Sequence, residues 1–363
     1  MFTLYRAMPY AALHCHSFYS MLDSTLPPEW IAEAAQASGM GAVAITDRDT
    51  VAGAVLFYKR ARALGLHAVI GSEVTLPDKS ALVLLVENQR GYSNLCQLLT
   101  AGVNPETLGR FQEGLICLAG PRSAPAQALR ENRPVDPALR QLLDVYGRNL
   151  ALEISPHNED DLRIARLFAD IARKHRIALT TSVDVHYANA DERLRYDILQ
   201  SMRTLTLLNQ RHPEKLPPGR HHWHTEEDIA RYFGALPQAM ENTVRIAERC
   251  RFNFELGDIR FPKFPCDQPV ALLRSKLEQG LLRRYGTEPE AKVHERLQRE
   301  MSIIEEVGYA EYFLVFADIV EWSATQKIAT LARAAARPAA WSATCWAFRM
   351  SARSASAFAS NGS

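Results

Sequence analysis

The chain has 363 residues, of which 47% are hydrophobic, and its formal net charge at pH 7 is +1. This size and apolar content suffice for one large α/β domain and part of another, and they exclude disorder of the whole chain. The near balance of basic and acidic residues gives no global sign of nucleic-acid or membrane binding, although a neutral protein can still carry a local basic groove.

The cysteine pattern indicates a reducing compartment. The six cysteines stand at positions 15, 96, 117, 250, 266 and 345, without any CxxC pair. This spacing favours reduced thiols over a disulfide framework or a zinc ribbon. The sequence also shows no apolar run of membrane-spanning length and no secretion signal at its N-terminus. We therefore expect a cytoplasmic protein that makes no membrane contact.

In the first half of the chain, short apolar runs of strand length alternate with amphipathic helical stretches. Strands are predicted at 41–47, 67–76, 81–87, 113–120, 149–155 and 177–186. Helices are predicted at 28–38, 51–64, 92–99 and 160–175. This alternation indicates parallel strands joined by helical crossovers, and hence a βα barrel or a doubly wound sheet.

The pattern changes after about residue 220. Thr225, with Asp228 three positions later, is predicted to cap a long helix that runs to Arg249. The proline-rich stretch at 262–269 is predicted to mark a domain boundary, and 271–321 is almost purely helical in pattern. We expect the three histidines before the cap to be solvated loop residues and not metal ligands: His221, His222 and His224.

The stretch ALHCHSFYSMLDST at 12–25 contains two histidines one residue apart. Alternate side chains of an extended strand share a face, so His14 and His16 should point the same way while Cys15 points opposite. An isolated HxH pair is more often a surface or hydrogen-bonded pair than a metal site. Four further residues shift the balance, since each lies at or just past the carboxyl end of a predicted strand: Asp23, Glu73, Asp184 and His186. Imidazole and carboxylate ligands suit Zn, Mn or Fe. A multinuclear cluster of such ions would activate a water molecule for attack on a phosphoester.

Six motifs in this order resemble those of the polymerase and histidinol phosphatase (PHP) domain. They are HCHSFYSMLD, AVAITDRDTVAG, VIGSEV, LVLLVENQRGYSNLCQLLT, LEISPHN and SVDVHYANADERLRYDILQS. The version they resemble most opens the α subunit of bacterial C-family DNA polymerases, particularly the error-prone members, and the resemblance runs from about residue 11 to 329. It implies an α/β fold: a distorted βα barrel with a helical extension over 1–265, a mostly helical linker, and the start of a polymerase palm over 266–332.

The same resemblance implies a set of metal ligands, for Zn or Mn: His14, His16, Asp23, Glu73, His157, Asp184 and His186. Two positions depart from the family pattern, because Arg48 and Ala81 stand where histidines are usual. A guanidinium stays protonated and has no lone pair for a metal, and alanine has no ligand atom. We therefore expect one or two metals, or a site kept only for structure. Arg48 could instead replace the lost charge by pairing with Asp23, Asp47 or Glu73.

The second half of the chain resembles the linker and the beginning of the palm of the same polymerases, in HHWHTEEDIARYF and GYAEYFLVFADIVEW. The latter is also an ordinary amphipathic helix by its apolar spacing. The resemblance implies a complete enzyme that extends DNA primers with deoxynucleoside triphosphates and Mg²⁺, in damage-tolerant synthesis with other damage-response or replisome proteins. Its catalytic aspartates would lie beyond this chain. The alternatives are a metal-dependent phosphoesterase, acting on small substrates or DNA 3′ ends, and a metal-free structural module.

The last residues have an anomalous composition, since no Asp or Glu follows Glu321. Related polymerases continue at this point with a glycine-rich motif of the form RGSAAGSLVCYVLGI. A DNA string that encodes this motif reads AAARPAAWSATCWAF one base later, which is the sequence of residues 334–348. We therefore predict a change of reading frame near 331–333 and a non-native tail over 333–363.

Overall fold

The computed structural model describes residues 10–157, 159–257, 262–287 and 290–328. The chain divides into two compact units between Phe254 and Glu255. The predicted frame change and the tail that follows it lie outside the described residues. The predicted domain bounds at residues 265 and 332 stay predictions.

Six strands of the first unit form one curled sheet whose strand order follows the chain. They are β1 (Ala42–Ile45), β2 (His67–Thr75), β3 (Ala81–Val86), β4 (Leu115–Ala119), β5 (Leu150–Ile154) and β6 (Ala178–Thr181). All six predicted strands are confirmed. The expectation of uniformly parallel strands is wrong at β3, which pairs antiparallel with both β2 and β4. Only the five residues 76–80 join β2 to β3, too few for a helical crossover.

The N-terminal segment bridges the open side of this half-barrel. The amide of Ala44 in β1 donates to the carbonyl of Ala12 at 2.8 Å. On the other side of the segment, the amide of His16 donates to the carbonyl of Val185 at 2.9 Å, just after β6. The expected distorted βα barrel is therefore confirmed, with residues 12–16 inserted between β1 and the end of the sheet.

Helices surround the sheet in the first unit. They are α1 (Pro28–Ala37), α2 (Ala54–Ala63), α3 (Gln89–Ala101), α4 (Pro105–Arg110), α5 (Ala124–Arg130), α6 (Asp136–Tyr146), α7 (Glu159–His175), α8 (Arg193–Thr204), α9 (Glu226–Phe233) and α10 (Pro237–Arg249). Thr225 caps α9 as predicted, because its side chain accepts from the amide of Asp228. The single long helix predicted to follow is wrong: the chain leaves the helix after Phe233 and restarts at Pro237, a residue suited to the first helical position.

The strands are buried on both faces, which explains their continuous apolar runs. Side chains of β3 alternate between two clusters. Leu82 and Leu84 face the larger cluster. Val83 and Leu85 face the smaller one, which Ile246 of α10 also contacts. A polar site in this unit must therefore lie at an end of the sheet and not on its faces.

Gly91, in the first turn of α3, lies against the backbone of Gly114 just before β4. A Cβ at Gly91 would collide with the carbonyl oxygen of Gly114, a backbone atom that cannot rotate away. We expect Gly91→Ala to lower the free energy of unfolding by about 1–3 kcal/mol, measured by urea denaturation. Gly109→Ala in α4 is the matched control, since nothing lies within 4 Å of its Cβ. Equal losses in the two variants would contradict this account of the contact.

The second unit is helical, as predicted. Its described helices are α11 (Pro269–Tyr285), α12 (Ala291–Glu306) and α13 (Ala310–Thr325). Leu277 from α11, Met301 from α12 and Leu314 from α13 are buried in a common apolar cluster. Among the described helices of both units, none is long and apolar enough to cross a lipid bilayer.

Candidate metal centre

Three of the predicted ligands, His14, His16 and His186, meet at Asp184, in the segment that follows β6. The Nε2 atom of His14 lies 3.4 Å from an oxygen of Glu73 and 3.4 Å from Asp184 Oδ1. The Nε2 atoms of His16 and His186 lie 3.2 and 3.0 Å from the same Asp184 oxygen. All five side chains are buried. Residues that are far apart in the sequence thus form one enclosed cluster of imidazoles and carboxylates.

Backbone geometry explains the orientation of these side chains. His14 and His16 share a face of the bridging segment, with ring centroids 5.1 Å apart, and Cys15 points into the apolar core as predicted. The predicted strand over 177–186 extends too far, because Asp184 and His186 lie beyond the end of the observed strand. The strand β6 ends at Thr181, and Asp184 adopts a left-handed conformation with φ of 54°. Such a conformation is uncommon outside glycine, although aspartate tolerates it, and strained residues cluster at functional sites.

The hydrogen bonds of His14 and His16 direct a lone pair of each ring into the centre. The Nδ1 of His14 faces the carboxylate of Glu153 at 3.2 Å, and a carboxylate can only accept. The Nδ1 of His16 faces the hydroxyl of Ser20 at 3.3 Å, and that hydroxyl already donates to Asp47 at 2.7 Å. Both Nδ1 atoms therefore carry the proton of the neutral ring, which leaves Nε2 unprotonated.

Both of these Nε2 atoms are buried and have no hydrogen-bond partner among the described residues. They lie close to carboxylate oxygens, but not in a geometry in which a hydrogen bond forms. In metal-binding histidines, one ring nitrogen keeps its lone pair for the metal, and the other donates a hydrogen bond to a fixed acceptor. Nε2 and Nδ1 of His14 and His16 are arranged in this way. The residues present therefore fit a divalent cation, and Zn²⁺ or Mn²⁺ suits this mixture of nitrogen and oxygen donors. Such an ion would polarise a bound water or phosphoryl oxygen.

Glu153 is a member of this centre that the sequence reasoning missed. It lies within β5, is buried, and orients His14. A Cβ at Gly120 would collide with its carboxylate, so a glycine at that position leaves room for the side chain. One feature of the sequence could have indicated its role: Glu153 is a charged residue within the apolar run LALEI, and a buried carboxylate without a partner is rare.

Arg48 fills the side of the centre that contains Asp23 and Glu73. Its guanidinium lies 2.6 Å from Asp23 Oδ2 and 3.0 Å from Glu73 Oε1, which confirms the predicted ion pairing with these two residues. Asp47, the third predicted partner, instead accepts from the amide of Ser17 at 2.6 Å. Guanidinium charge therefore occupies this side of the cluster.

Arg122 adds a second guanidinium that the sequence did not indicate, 3.1 Å from Glu73 Oε1. Ala81, the other departure from the family pattern, begins β3, and its amide donates to the carbonyl of Arg122 at 3.0 Å. Burial alone would raise the pKa of Glu73, but Arg122 and Arg48 hold it well below its usual range. Burial likewise opposes ionisation of Asp23, and Arg48 lowers its pKa.

The charge state of the rings follows from their distance to carboxylates. Burial disfavours a charged His14, but Glu153 and Asp184 outweigh it and raise the pKa of that ring. Burial also disfavours a charged His186, and Asp184 with Asp23 raises its pKa. Burial and the neighbouring His186 lower the pKa of His16, which keeps it neutral. The carboxylates thus favour the charged form of His14 and His186, and burial favours the neutral form of His16.

His157 and His221 lie together beside Asp184, since one possible ligand atom from each of the three lies within 4.8 Å of the other two. The two imidazole rings stack with centroids 3.7 Å apart. The prediction that His221, His222 and His224 are solvated is wrong for two of them, because His221 is 2% exposed and His224 is 6% exposed. The amide of His186 donates to the carbonyl of His221 at 2.8 Å, a backbone contact that brings this distant loop to the centre.

Comparison with known proteins gives two family matches. The PHP domain matches residues 12–157, and the bacterial DNA polymerase III alpha NTPase domain matches residues 271–352. The second match continues beyond the predicted frame change near 331–333, which stays a prediction. The chain covers parts of both families in the order expected from the motifs.

Curated relatives named error-prone DNA polymerase include one from Pseudomonas aeruginosa, 33% identical over 351 residues, and one from Symbiobacterium thermophilum, 31% identical over 369 residues. The alignments cover 95% and 92% of this chain but 33% and 34% of these relatives. The chain therefore spans about a third of their length.

Among solved structures, an amidohydrolase from Chromobacterium violaceum is similar with a TM-score of 0.37 and 16% identity, over 62% of this chain and 96% of that one. At this score the likeness carries no argument about function. The sequence matches are the informative ones. The chain therefore carries a PHP domain followed by a segment of the bacterial DNA polymerase III alpha family.

Proposed function

We propose that this chain is the N-terminal part of an error-prone DNA polymerase. The observation that carries the proposal is the succession, in one chain, of a PHP domain at 12–157 and a polymerase III alpha segment at 271–352. A free-standing phosphoesterase would need no polymerase segment. The complete enzyme would add deoxynucleotides to a primer paired with template DNA, in damage-tolerant synthesis with other damage-response or replisome proteins.

Polymerisation itself would require Mg²⁺ and carboxylates that hold two metal ions close together. We place those aspartates outside this chain, so none of its residues is assigned to nucleotide addition. The PHP unit would then support the polymerase and hold Zn²⁺ or Mn²⁺ in its own centre, where two guanidinium groups already neutralise Asp23 and Glu73. That partial neutralisation favours one or two bound metal ions over a larger multinuclear cluster.

Hydrolysis of a phosphoester by the PHP centre is the second candidate. The specific observation that favours it is the pair of inward, unpartnered Nε2 atoms on His14 and His16, which suit a metal that activates water. The third candidate, a metal-free structural module, is favoured by the Arg48 ion pairs. These candidates concern the PHP unit alone and are compatible with polymerisation by the complete enzyme.

The test begins with resequencing of the gene around codons 320–370. We expect a single-base correction to open a frame of polymerase length and to restore the motif RGSAAGS. The corrected full-length product should extend a labelled primer on template DNA with Mg²⁺, whereas the 363-residue chain should not.

Failure of the corrected product to extend any primer would contradict the proposal. Hydrolysis of a phosphoester by the 363-residue chain with Mn²⁺, abolished by His14→Ala, would establish the second candidate for the PHP unit. A genuine frame change in the organism would instead make the gene product a fragment without polymerase activity.

A further inference from the structure

A cavity of about 180 Å³ opens on the first unit, between the connection from β2 to β3 and the helices α4 and α6. Ser80 and Leu82 line it at the start of β3, Leu108 lines it from α4, and Leu142 and Tyr146 line it from α6. None of the described residues that line the cavity is a predicted metal ligand. The cavity is therefore a site distinct from the metal centre.

The floor of this cavity is apolar, because Leu82, Leu108 and Leu142 line it and are all buried. Among the described lining residues none is Lys, Arg or His, so an anionic occupant would lose its hydration without gaining a counter-charge. The one charged side chain among them, Asp78, is exposed at the rim and accepts hydrogen bonds from the amide and the hydroxyl of Ser80 at 2.9 and 2.6 Å. The lining therefore selects a neutral occupant.

Tyr146 gives the cavity a polar group that lacks a partner. This residue lines the cavity and is 5% exposed, and its hydroxyl is buried without a hydrogen-bond partner among the described residues. A phenol hydroxyl has a proton to donate, and a buried donor that stays unpaired is costly. The hydroxyl of Ser80, the other buried polar side chain of the described lining, already donates to Asp78. The Tyr146 hydroxyl therefore indicates an acceptor atom on an occupant of the cavity.

The volume of the cavity limits the size of that occupant. A dry apolar cavity of about 150 Å³ in another protein binds benzene, whereas drug-sized ligands fill pockets of about 300–1,000 Å³. The cavity of this protein therefore has room for one ring with a short substituent. Each ordered water molecule would need about two to four polar partners, which three leucine side chains do not supply. A mainly apolar molecule instead gains free energy by leaving water.

We propose that the cavity binds a neutral one-ring molecule that carries a carbonyl oxygen or an equivalent acceptor. The ring packs against the three buried leucines, and the oxygen accepts the proton of the Tyr146 hydroxyl. This hydrogen bond tightens binding by roughly three- to tenfold, the usual contribution of one bond between neutral groups. The assignment goes beyond the proposed polymerase function and does not depend on it.

The test titrates the 363-residue chain with two probes of equal size. Acetophenone carries the acceptor, and α-methylstyrene has a CH₂ group in place of the carbonyl oxygen. Binding is followed by the assigned methyl NMR signals of Leu82, Leu108 and Leu142. We expect saturable shifts with both probes and roughly three- to tenfold tighter binding of acetophenone. Tyr146→Phe should remove this preference by weakening the binding of acetophenone alone.

Tyr58→Phe is the matched control, since it removes a hydroxyl that donates to Asn253 and does not line the cavity, and the preference should persist in it. Ala138→Phe adds a ring at a half-buried lining position on α6 and should abolish binding of both probes. In the wild-type chain, the absence of saturable shifts at the three leucines, or equal affinity for the two probes, would overturn the proposal even if a variant does not fold. A preference for acetophenone that persists in Tyr146→Phe would overturn it as well.

Discussion

Replacing Arg48 with methionine is expected to lower the free energy of unfolding by about 3–5 kcal/mol at neutral pH. The Arg48 side chain is only 15% exposed, and its guanidinium joins two buried carboxylates, Asp23 and Glu73. Methionine retains part of the volume but leaves these charges without their common partner, although Arg122 still contacts Glu73. Urea denaturation of the metal-stripped protein measures the loss.

The pH dependence of this loss distinguishes electrostatics from packing. Arg48 lowers the pKa of Asp23 and of Glu73 in the folded protein. The ion pairs therefore stabilise the fold above the ordinary carboxyl pKa of about 4, and this contribution disappears as pH falls through the lowered folded values. The gap between wild type and Arg48→Met should be largest near pH 7 and should shrink below about pH 4.

Arg60→Met is the matched control, since Arg60 pairs with Glu33 at 2.8 Å on the surface, where the two side chains are 42% and 46% exposed. An exposed pair contributes about 1 kcal/mol or less. Similar losses in the two variants, or an Arg48→Met loss that does not change with pH, would refute the role of Arg48 as a substitute for metal charge.

Asp184→Asn is expected to weaken metal binding by the centre while preserving its shape. Asparagine has nearly the same size and tolerates the left-handed backbone at this position. It removes the negative charge that faces His14, His16 and His186. Zn²⁺ affinity should fall at least about tenfold. The pKa of His14 and of His186 should fall as well, because Asp184 helps to raise both.

Calorimetry gives the Zn²⁺ affinity, and NMR titration of the histidine ring protons gives the pKa changes. Asp170→Asn is the control, since Asp170 forms only an exposed pair with Arg173 on α7. Unchanged titration of both rings in Asp184→Asn would show that Asp184 does not set their charge. Full retention of Zn²⁺ affinity would place the metal away from this carboxylate.

The local sequence pattern was sufficient to predict the strands and part of the candidate metal centre. The apolar runs predicted all six strands, because strands buried on both faces contain few polar residues. The HxH spacing predicted that His14 and His16 point the same way. The family resemblance placed Arg48 near the carboxylates, and charge pairing then predicted Asp23, Asp47 or Glu73 as its partners, of which Asp23 and Glu73 pair with it.

Other features depended on contacts that no local pattern contains. The antiparallel β3, the break between α9 and α10, and the left-handed Asp184 were not predicted, since loop length and tertiary contacts decide them. Glu153 and Arg122 were missed because a single charged residue in a strand or loop gives no sign of its partner. Spacing and residue type could not reveal those partners.

The sequence by itself determined the alternation of strands and helices, the chemical types available for a metal centre, and the order of the PHP and polymerase segments. Tertiary structure alone decided which groups meet. His221 shows the difference most clearly: in the sequence it belongs to a polar loop before a helix cap, and in the fold it is buried against His157 and Asp184. Burial and charge neutralisation depend on neighbours distant in the chain, so the burial of His221 and the pairing of Arg48 with Asp23 and Glu73 emerge only when the barrel closes.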